Sequence, residues 1–386
     1  MKLGIISDCV HYKTPDGKVG TENHILLRQL QALCSYFPET LICVPFARFN
    51  TSKVISTYCN PFISFEPLPM AGGDTIRAKL NLLSVLPKWW KGFRKIHAFS
   101  DIVYQRFPNN LNIPGFFYFR MKDKKVFGTY TGTWEAYAGE PITYRFQRWL
   151  LKNYFKGPVW VYSDTTFTTK KIFNGYSPSY SVLEWNEETE QVERRKERLQ
   201  REGLNTFRMI TVGALIDYKN QTTIVKACSI LKKQNFSYSL TIVGDGPMLL
   251  ELEALIEKED LRQDVKLVGK KNYTELRELY RRHTFVVQAP LSEGFGKVPI
   301  EGFFHGVVPV ISNTSMAAYI TGNEERGFLF DAHNAQSLVD VILNMKQNQH
   351  RLPQMIENGR DFAKSQTLEA WAKEYYQTVT EYFAKA

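Results

Sequence analysis

Between residues 207 and 312 short apolar runs alternate with helical patterns, and few architectures accept that rhythm. Phe207–Leu215 reads as a strand, Gln221–Lys233 as a helix and Tyr238–Gly244 as a strand. Met248–Leu261 follows as a helix, Val265–Gly269 as a strand and Tyr273–His283 as a helix. Phe285–Ala289 and Pro309–Ser312 are two more strands with another helix between them. Short apolar strands separated by helices predict a parallel sheet covered on both faces. Such sheets hold ligands beyond the carboxyl ends of their strands, so chemistry is expected in the loops that follow these runs.

The first half opens the same way, with strand Lys2–Ile6, a helix over Asn23–Tyr36 and strand Leu41–Pro45. Pro38, Pro45, Pro61, Pro67, Pro69 and Gly72-Gly73 then break it into loops, and strand-like runs return at Ile102–Gln105, Val126–Tyr130 and Val159–Tyr162. Glu184–Asn205 is polar and shows no apolar periodicity, which predicts a linker over 186–205 between domains at 1–185 and 206–367. Leu368–Phe383 carries an apolar stripe at spacings of three and four, so 368–386 is expected to be a final helix. A chain of 386 residues suits two domains.

The loop after Phe285–Ala289 holds the densest candidate chemistry. Ser292-Glu293-Gly294-Phe295-Gly296-Lys297-Val298-Pro299-Ile300-Glu301 puts an acid and a glycine turn before a predicted helix, with a second acid one turn in. A strand–glycine turn–helix unit aims backbone N–H groups and the positive end of a helix dipole at one spot, which seats a diphosphate. Glu293 and Glu301 flank that seat and can accept hydrogen bonds from hydroxyls. A sugar and a ribose are the hydroxyl-rich groups found on either side of a diphosphate. Taken alone, the same pattern also describes an ordinary strand–helix connection.

Three other landmarks accompany it in order: Val212-Gly213-Ala214-Leu215 through Lys219, Val243-Gly244-Asp245-Gly246-Pro247, and Leu267-Val268-Gly269. Together they resemble the glutamate-pair signature of retaining glycosyltransferases of family four, over residues 206–385 and only loosely before them. The resemblance implies the GT-B fold, an α/β arrangement of two Rossmann-like domains whose parallel sheets face each other across a cleft. A C-terminal helix crossing back to the first domain belongs to the same picture. It further implies a retaining, metal-independent enzyme that needs no cofactor. The donor would be a nucleotide sugar, uridine-linked by default, and the acceptor a hydroxyl of a glycan or lipid-linked intermediate, as in cell-surface polysaccharide assembly.

Carried onto this chain, the resemblance makes Lys219 the cation for the departing diphosphate, Glu293 the residue that orients the donor sugar and Glu301 the ribose ligand. Gly213, Gly244, Lys270, Gly294, Phe295, Gly296, Lys297 and Val298 would line the donor, and Gly20, read as opening the first helix, would approach its phosphates. For Lys219 and Lys270 a solvated loop lysine is the plain alternative. Ala214 stands where the family commonly has arginine, a loss that is not conservative at a phosphate. Lys297 is the candidate substitute, because a lysine at a helix N-terminus is unfavourable by a few tenths of a kcal/mol unless an anion sits nearby. On the acceptor side stand His24, Thr133 and Trp134, with His11 close in sequence.

Charge adds a partner. The net +10 is uneven, since residues 1–185 hold 23 Lys and Arg against 12 Asp and Glu. An anionic membrane surface or a phosphate-bearing acceptor suits that half, and nucleic acid does not, for want of any recognition motif. Leu86-Pro87-Lys88-Trp89-Trp90-Lys91-Gly92-Phe93-Arg94-Lys95 joins cations to aromatics, as a lipid headgroup region favours, although a packed helix has the same composition. Five scattered cysteines, no apolar run of membrane-span length and no signal-like start suggest a cytoplasmic protein, peripheral at the inner face of the membrane. With no Asp-x-Asp pair, no metal is expected. An epimerase or hydrolase of the same fold and a non-catalytic nucleotide-sugar module remain as alternatives. A dinucleotide dehydrogenase ranks last, because no G-x-G-x-x-G follows the first strand.

Overall fold

The computed structural model describes residues 1–49, 55–70, 76–137, 139–165, 167–314 and 316–385. It divides into two compact units, Met1–Ser179 with Leu368–Ala386, and Tyr180–Thr367.

The first unit runs through β1 (Leu3–Ile6), β2 (His11–Lys13), β3 (Val19–Thr21), α1 (His24–Cys34), β4 (Thr40–Ala47), β5 (Ser56–Thr57) and β6 (Ile63–Leu68). It continues through α2 (Ile76–Phe99), β7 (Ile102–Phe107), α3 (Asn112–Met121), β8 (Lys125–Thr133), α4 (Ile142–Tyr154), β9 (Val159–Tyr162) and β10 (Ile172–Asn174). Parallel pairing gives the order β6-β4-β1-β7-β8-β9-β10. Chain order reverses between β1 and β7, which marks where such a sheet takes a ligand.

Beyond the end of β4, β3 pairs antiparallel with β2 and β5, and there the structure corrects one expectation. Gly20 does not open a helix. It sits inside β3, where a Cβ would lie 2.2 Å from the Ser56 carbonyl oxygen, so strand crowding accounts for the glycine. The helix begins at His24, after Asn23 accepts the Leu26 N–H at 3.0 Å.

The second unit runs through α5 (Val182–Glu202), β11 (Phe207–Val212), α6 (Gln221–Lys233), β12 (Tyr238–Val243), α7 (Leu249–Lys258), β13 (Val265–Leu267) and α8 (Tyr273–Arg282). Then come β14 (Phe285–Gln288), α9 (Lys297–Phe304), β15 (Val308–Ser312), α10 (Ala317–Thr321), β16 (Phe328–Phe330), α11 (Ala335–Gln347) and α12 (Leu352–Lys364). The strands lie parallel in the order β13-β12-β11-β14-β15-β16, with the reversal between β11 and β14. The last helix, α13 (Leu368–Ala384), belongs to the first unit. Its Trp371, Tyr375 and Val379 are buried with α1, and the Tyr375 ring stacks on Trp160 of β9 at 3.7 Å.

The expected linker is not one. Residues 182–202 form α5, closed by a capping box in which Ser181 and Glu184 exchange hydrogen bonds. Its inward face is Glu188, Val192, Arg195 and Leu199, a helical spacing with two charged members, which is why an apolar reading misses it. Arg277 donates to Glu188 Oε1 at 2.7 Å and Arg281 donates to Oε2 at 3.1 Å. Burial opposes the Glu188 charge, but His305, Arg281 and Arg277 outweigh it and hold the carboxyl well below the usual range.

A carboxyl depressed on folding stabilises above its unfolded pKa and loses that contribution as pH falls through the folded value. Glu188→Gln is therefore expected to cost about 3 kcal/mol at neutral pH, the range for breaking a buried ionic cluster. The gap from wild type should narrow below the ordinary carboxylate range. Thermal melts of both proteins across pH check this, and a pH-independent gap refutes it.

Candidate functional site

In the second unit the two loops at the β11/β14 reversal are those singled out from the sequence. β11 leads into residues 213–219 and β14 into 289–296, and the Leu291 N–H donates to the Tyr218 carbonyl at 2.8 Å. The Ser312 hydroxyl, at the end of β15, donates to the Pro290 carbonyl at 2.7 Å and fixes the base of the second loop. Lys219 ends a single 3-10 turn, Asp217–Lys219. Asn220 then turns the chain into α6 with φ of 52°, its side chain donating to the Ala332 carbonyl at 2.8 Å. From this perch the Lys219 ammonium donates to Glu293 Oε2. Two residues 74 positions apart thus form a half-shielded ion pair.

Glu301 lies one turn into α9 and is buried, and the Tyr280 hydroxyl of α8 donates to its Oε2 at 3.1 Å. Burial, reinforced by the Glu301 charge, pushes the Tyr280 phenol well above its usual pKa, so it stays a donor. This bond sets the direction of the carboxylate.

Three strand-end loops interlock around glycines. Gly213 and Gly244 have φ of 152° and 151°, and a Cβ on Gly244 would lie 1.8 Å from the Gly213 carbonyl oxygen. The Gly213 N–H donates to Val243 at 3.0 Å, the Gly244 N–H to Gly269 at 3.1 Å and the Leu215 N–H to Asp245 at 3.0 Å. Gly296, with φ of 73°, immediately precedes α9. Phe295 is buried and anchors that turn, while Gly294, Lys297 and Val298 are half-buried around it. Ala214 is exposed, and its carbonyl accepts from the Gln221 side chain at 3.1 Å. Lys270 is exposed just past Gly269.

Among the acceptor-side candidates in the first unit, Trp134 is a correction. It is fully buried against Tyr130 and Phe167, with Lys152 over its ring at 5.0 Å, so it packs the core and presents no face to a ligand. Thr133 ends β8, and its carbonyl accepts from Arg148 at 3.4 Å. His24 is half-buried with Nδ1 at 2.7 Å from the Ser56 hydroxyl. His11 is buried between the Cys9 carbonyl at 2.8 Å and the Tyr58 hydroxyl at 3.0 Å, and burial lowers its pKa.

Sequence reading passed over Asp8 and Arg106, which follow β1 and close β7 at the reversal of the first sheet. The surrounding protein raises the Asp8 carboxyl, partly offset by a backbone hydrogen bond and by Arg106. The available signal was Ser7-Asp8 directly after the first strand.

Residues 193–362 match the family model described as glycosyl transferases group 1. The uncharacterized glycosyltransferase MJ1178 of Methanocaldococcus jannaschii is 28% identical over 169 residues, 44% of this chain and 46% of that one. The amylovoran biosynthesis glycosyltransferase AmsK of Erwinia amylovora is 27% identical over 149 residues, 37% of each chain. The chain therefore spans less than half the length of these curated relatives. The structure of Anabaena Alr3699/HepE in complex with UDP-glucose is similar with a TM-score of 0.72 at 16% identity, covering 100% of both chains. At that identity the likeness shows the fold, which is GT-B.

Proposed function

We propose that this chain, whose second unit carries a glycosyl transferases group 1 domain, moves a sugar with retention from a nucleotide-sugar donor to a hydroxyl of a glycan or lipid-linked acceptor. The observation that carries this reading is the Lys219–Glu293 pair at the β11/β14 reversal, with Glu301 oriented one turn into α9. A diphosphate bears more negative charge than one carboxylate. When it enters, the Lys219 ammonium gains a stronger partner and Glu293 turns to accept from sugar hydroxyls. As the bond between the anomeric carbon and the phosphate oxygen breaks, its electron pair goes to the diphosphate. Lys219, the N–H groups around Gly294–Gly296 and Lys297 stabilise that charge. Glu301 holds the ribose, and the acceptor oxygen takes the anomeric carbon on the face the diphosphate leaves, giving up its proton to a donor phosphate oxygen. Lys297, in the first turn of α9, fills the electrostatic role left open by Ala214.

A uridine donor is supported by the UDP-glucose that the similar Anabaena protein was solved with. A biosynthetic role is supported by the name of the Erwinia relative, an amylovoran biosynthesis glycosyltransferase. Work at an anionic membrane face is supported by the excess positive charge of residues 1–185. No helix among the described residues is long and apolar enough to cross a membrane.

A thermal-shift panel of nucleoside diphosphates and nucleotide sugars tests the donor. Ligand at about a hundredfold its dissociation constant stabilises by about 2.7 kcal/mol, so one base and then one sugar should stand out. A panel without any shift overturns the reading, and isomerised sugar formed without acceptor would favour an epimerase.

A further inference from the structure

α3 and α4 of the first unit show their apolar residues to solvent. On α4, Ile142, Phe146 and Trp149 recur at spacings of four and three, the stripe that an amphipathic helix ordinarily turns inward. Here Ile142 is 84% and Trp149 48% exposed, while the inward face is Gln147, Arg148, Leu150 and Leu151. On α3, Phe117 and Met121 stand four apart and outward, Met121 being 65% exposed. Phe117, Met121, Phe146, Trp149 and Tyr154 line an open trough of about 730 Å³, within the range of sites that take small apolar ligands. A contiguous exposed apolar patch on this scale marks an interaction surface.

The rim is cationic. Arg120 and Lys156 border the trough, and residues 112–156 hold eight Lys and Arg against three Asp and Glu. α2 packs beside α3 and has a basic exposed face of its own. Trp90, 39% exposed, meets Tyr118 of α3 edge-on at 4.7 Å, and Lys88, Lys91 and Arg94 are exposed around it. Trp89, expected from the sequence to meet lipid, is instead buried, with its indole N–H donating to the Pro69 carbonyl at 3.0 Å. Lys95 is paired with Glu66 at 2.7 Å. The aromatic surface open to a partner has therefore moved from the tryptophan pair to the α3–α4 trough.

We infer that this trough seats acyl chains of an anionic bilayer, with α3 and α4 lying in the interface and the basic rim on lipid phosphates. Exposed Trp and Tyr beside apolar residues and cations are the composition an interfacial helix requires. Each well-placed Lys or Arg strengthens attraction to an anionic leaflet. A second copy of the chain is the poorer occupant, because a two-fold contact would set two like-charged rims against each other. The inference rests on the membrane-side reading under Proposed function and gives it an address.

Co-sedimentation with vesicles of phosphatidylglycerol and phosphatidylcholine, read beside Trp fluorescence, tests it. Wild type is expected to bind with a blue shift. Met121→Glu/Phe146→Glu should bind at least tenfold more weakly at unchanged melting temperature. Lys91→Gln/Arg94→Gln should keep the blue shift but bind with a shallower salt dependence. Should the glutamate variant lose stability, Met121→Ser/Phe146→Ser provides the same comparison.

Vesicle binding unchanged in the trough variants refutes the trough and leaves membrane binding intact. No binding by wild type refutes both, and a dimer that the trough variants abolish assigns the face to a second copy instead. UDP thermal shifts measured on the same variants report separately on the donor site.

Discussion

Lys219→Ala is expected to lower turnover of the true donor by about a hundred- to a thousandfold, the cost of removing one pre-organised charge from a developing anion. The donor KM should move far less, because the attraction gained on binding the diphosphate is offset by the Glu293 pairing that the ammonium gives up. Only the growing charge on the leaving diphosphate makes it irreplaceable, which places its effect in kcat. Lys219→Arg should recover little, since a planar fork does not occupy the seat of a compact ammonium. Initial rates across donor concentrations decide the matter. Turnover within a few-fold of wild type would return Lys219 to a structural partner of Glu293.

Glu301→Ala should act on the other side of the ledger, by raising the donor dissociation constant about a hundredfold while the protein stays folded. Hydrogen bonds to a charged group contribute about 1.5–3 kcal/mol each, and about 1.4 kcal/mol is a factor of ten in affinity. Nucleotides lacking the 2′ and 3′ hydroxyls give the sharper test. They should bind wild type as weakly as UDP binds Glu301→Ala, and the variant should no longer distinguish them from UDP. Discrimination that survives in the variant would show that Glu301 does not hold the ribose. Tyr280→Phe should give a smaller loss of the same kind, because it loosens the direction of the carboxylate without deleting it.

From β11 onward the second unit was legible because every level of its sequence agrees. Runs such as Phe285–Gln288 are buried on both faces, helices such as Gln221–Lys233 fill the intervals, and glycines mark where strand ends crowd. Parallel α/β folding then places Lys219 and the Glu293–Glu301 run at one end of the sheet, which is why local motifs sufficed to nominate them. Sequence spacing could not say that Lys219 and Glu293 touch. That follows from the β11/β14 neighbour relation, a long-range pairing with no local trace.

The first unit was less readable for a related reason. Gly20, Trp134 and Trp89 each lie in a stretch suited to a site, yet packing makes them a close strand pairing, a core ring and a buried indole. At the start of the second unit, the polar run that became α5 hides its stripe because Glu188 and Arg195 occupy inward positions, stabilised by partners 85 to 117 residues further along the chain. By itself, then, the sequence determined the α/β class, the strand-end loops and the residue types proposed to meet a diphosphate, all set by periodicity and local backbone chemistry. Tertiary structure alone decided which charges pair, which aromatics are buried and which helix faces stay open to a partner, because those depend on neighbours that only the folded chain brings together.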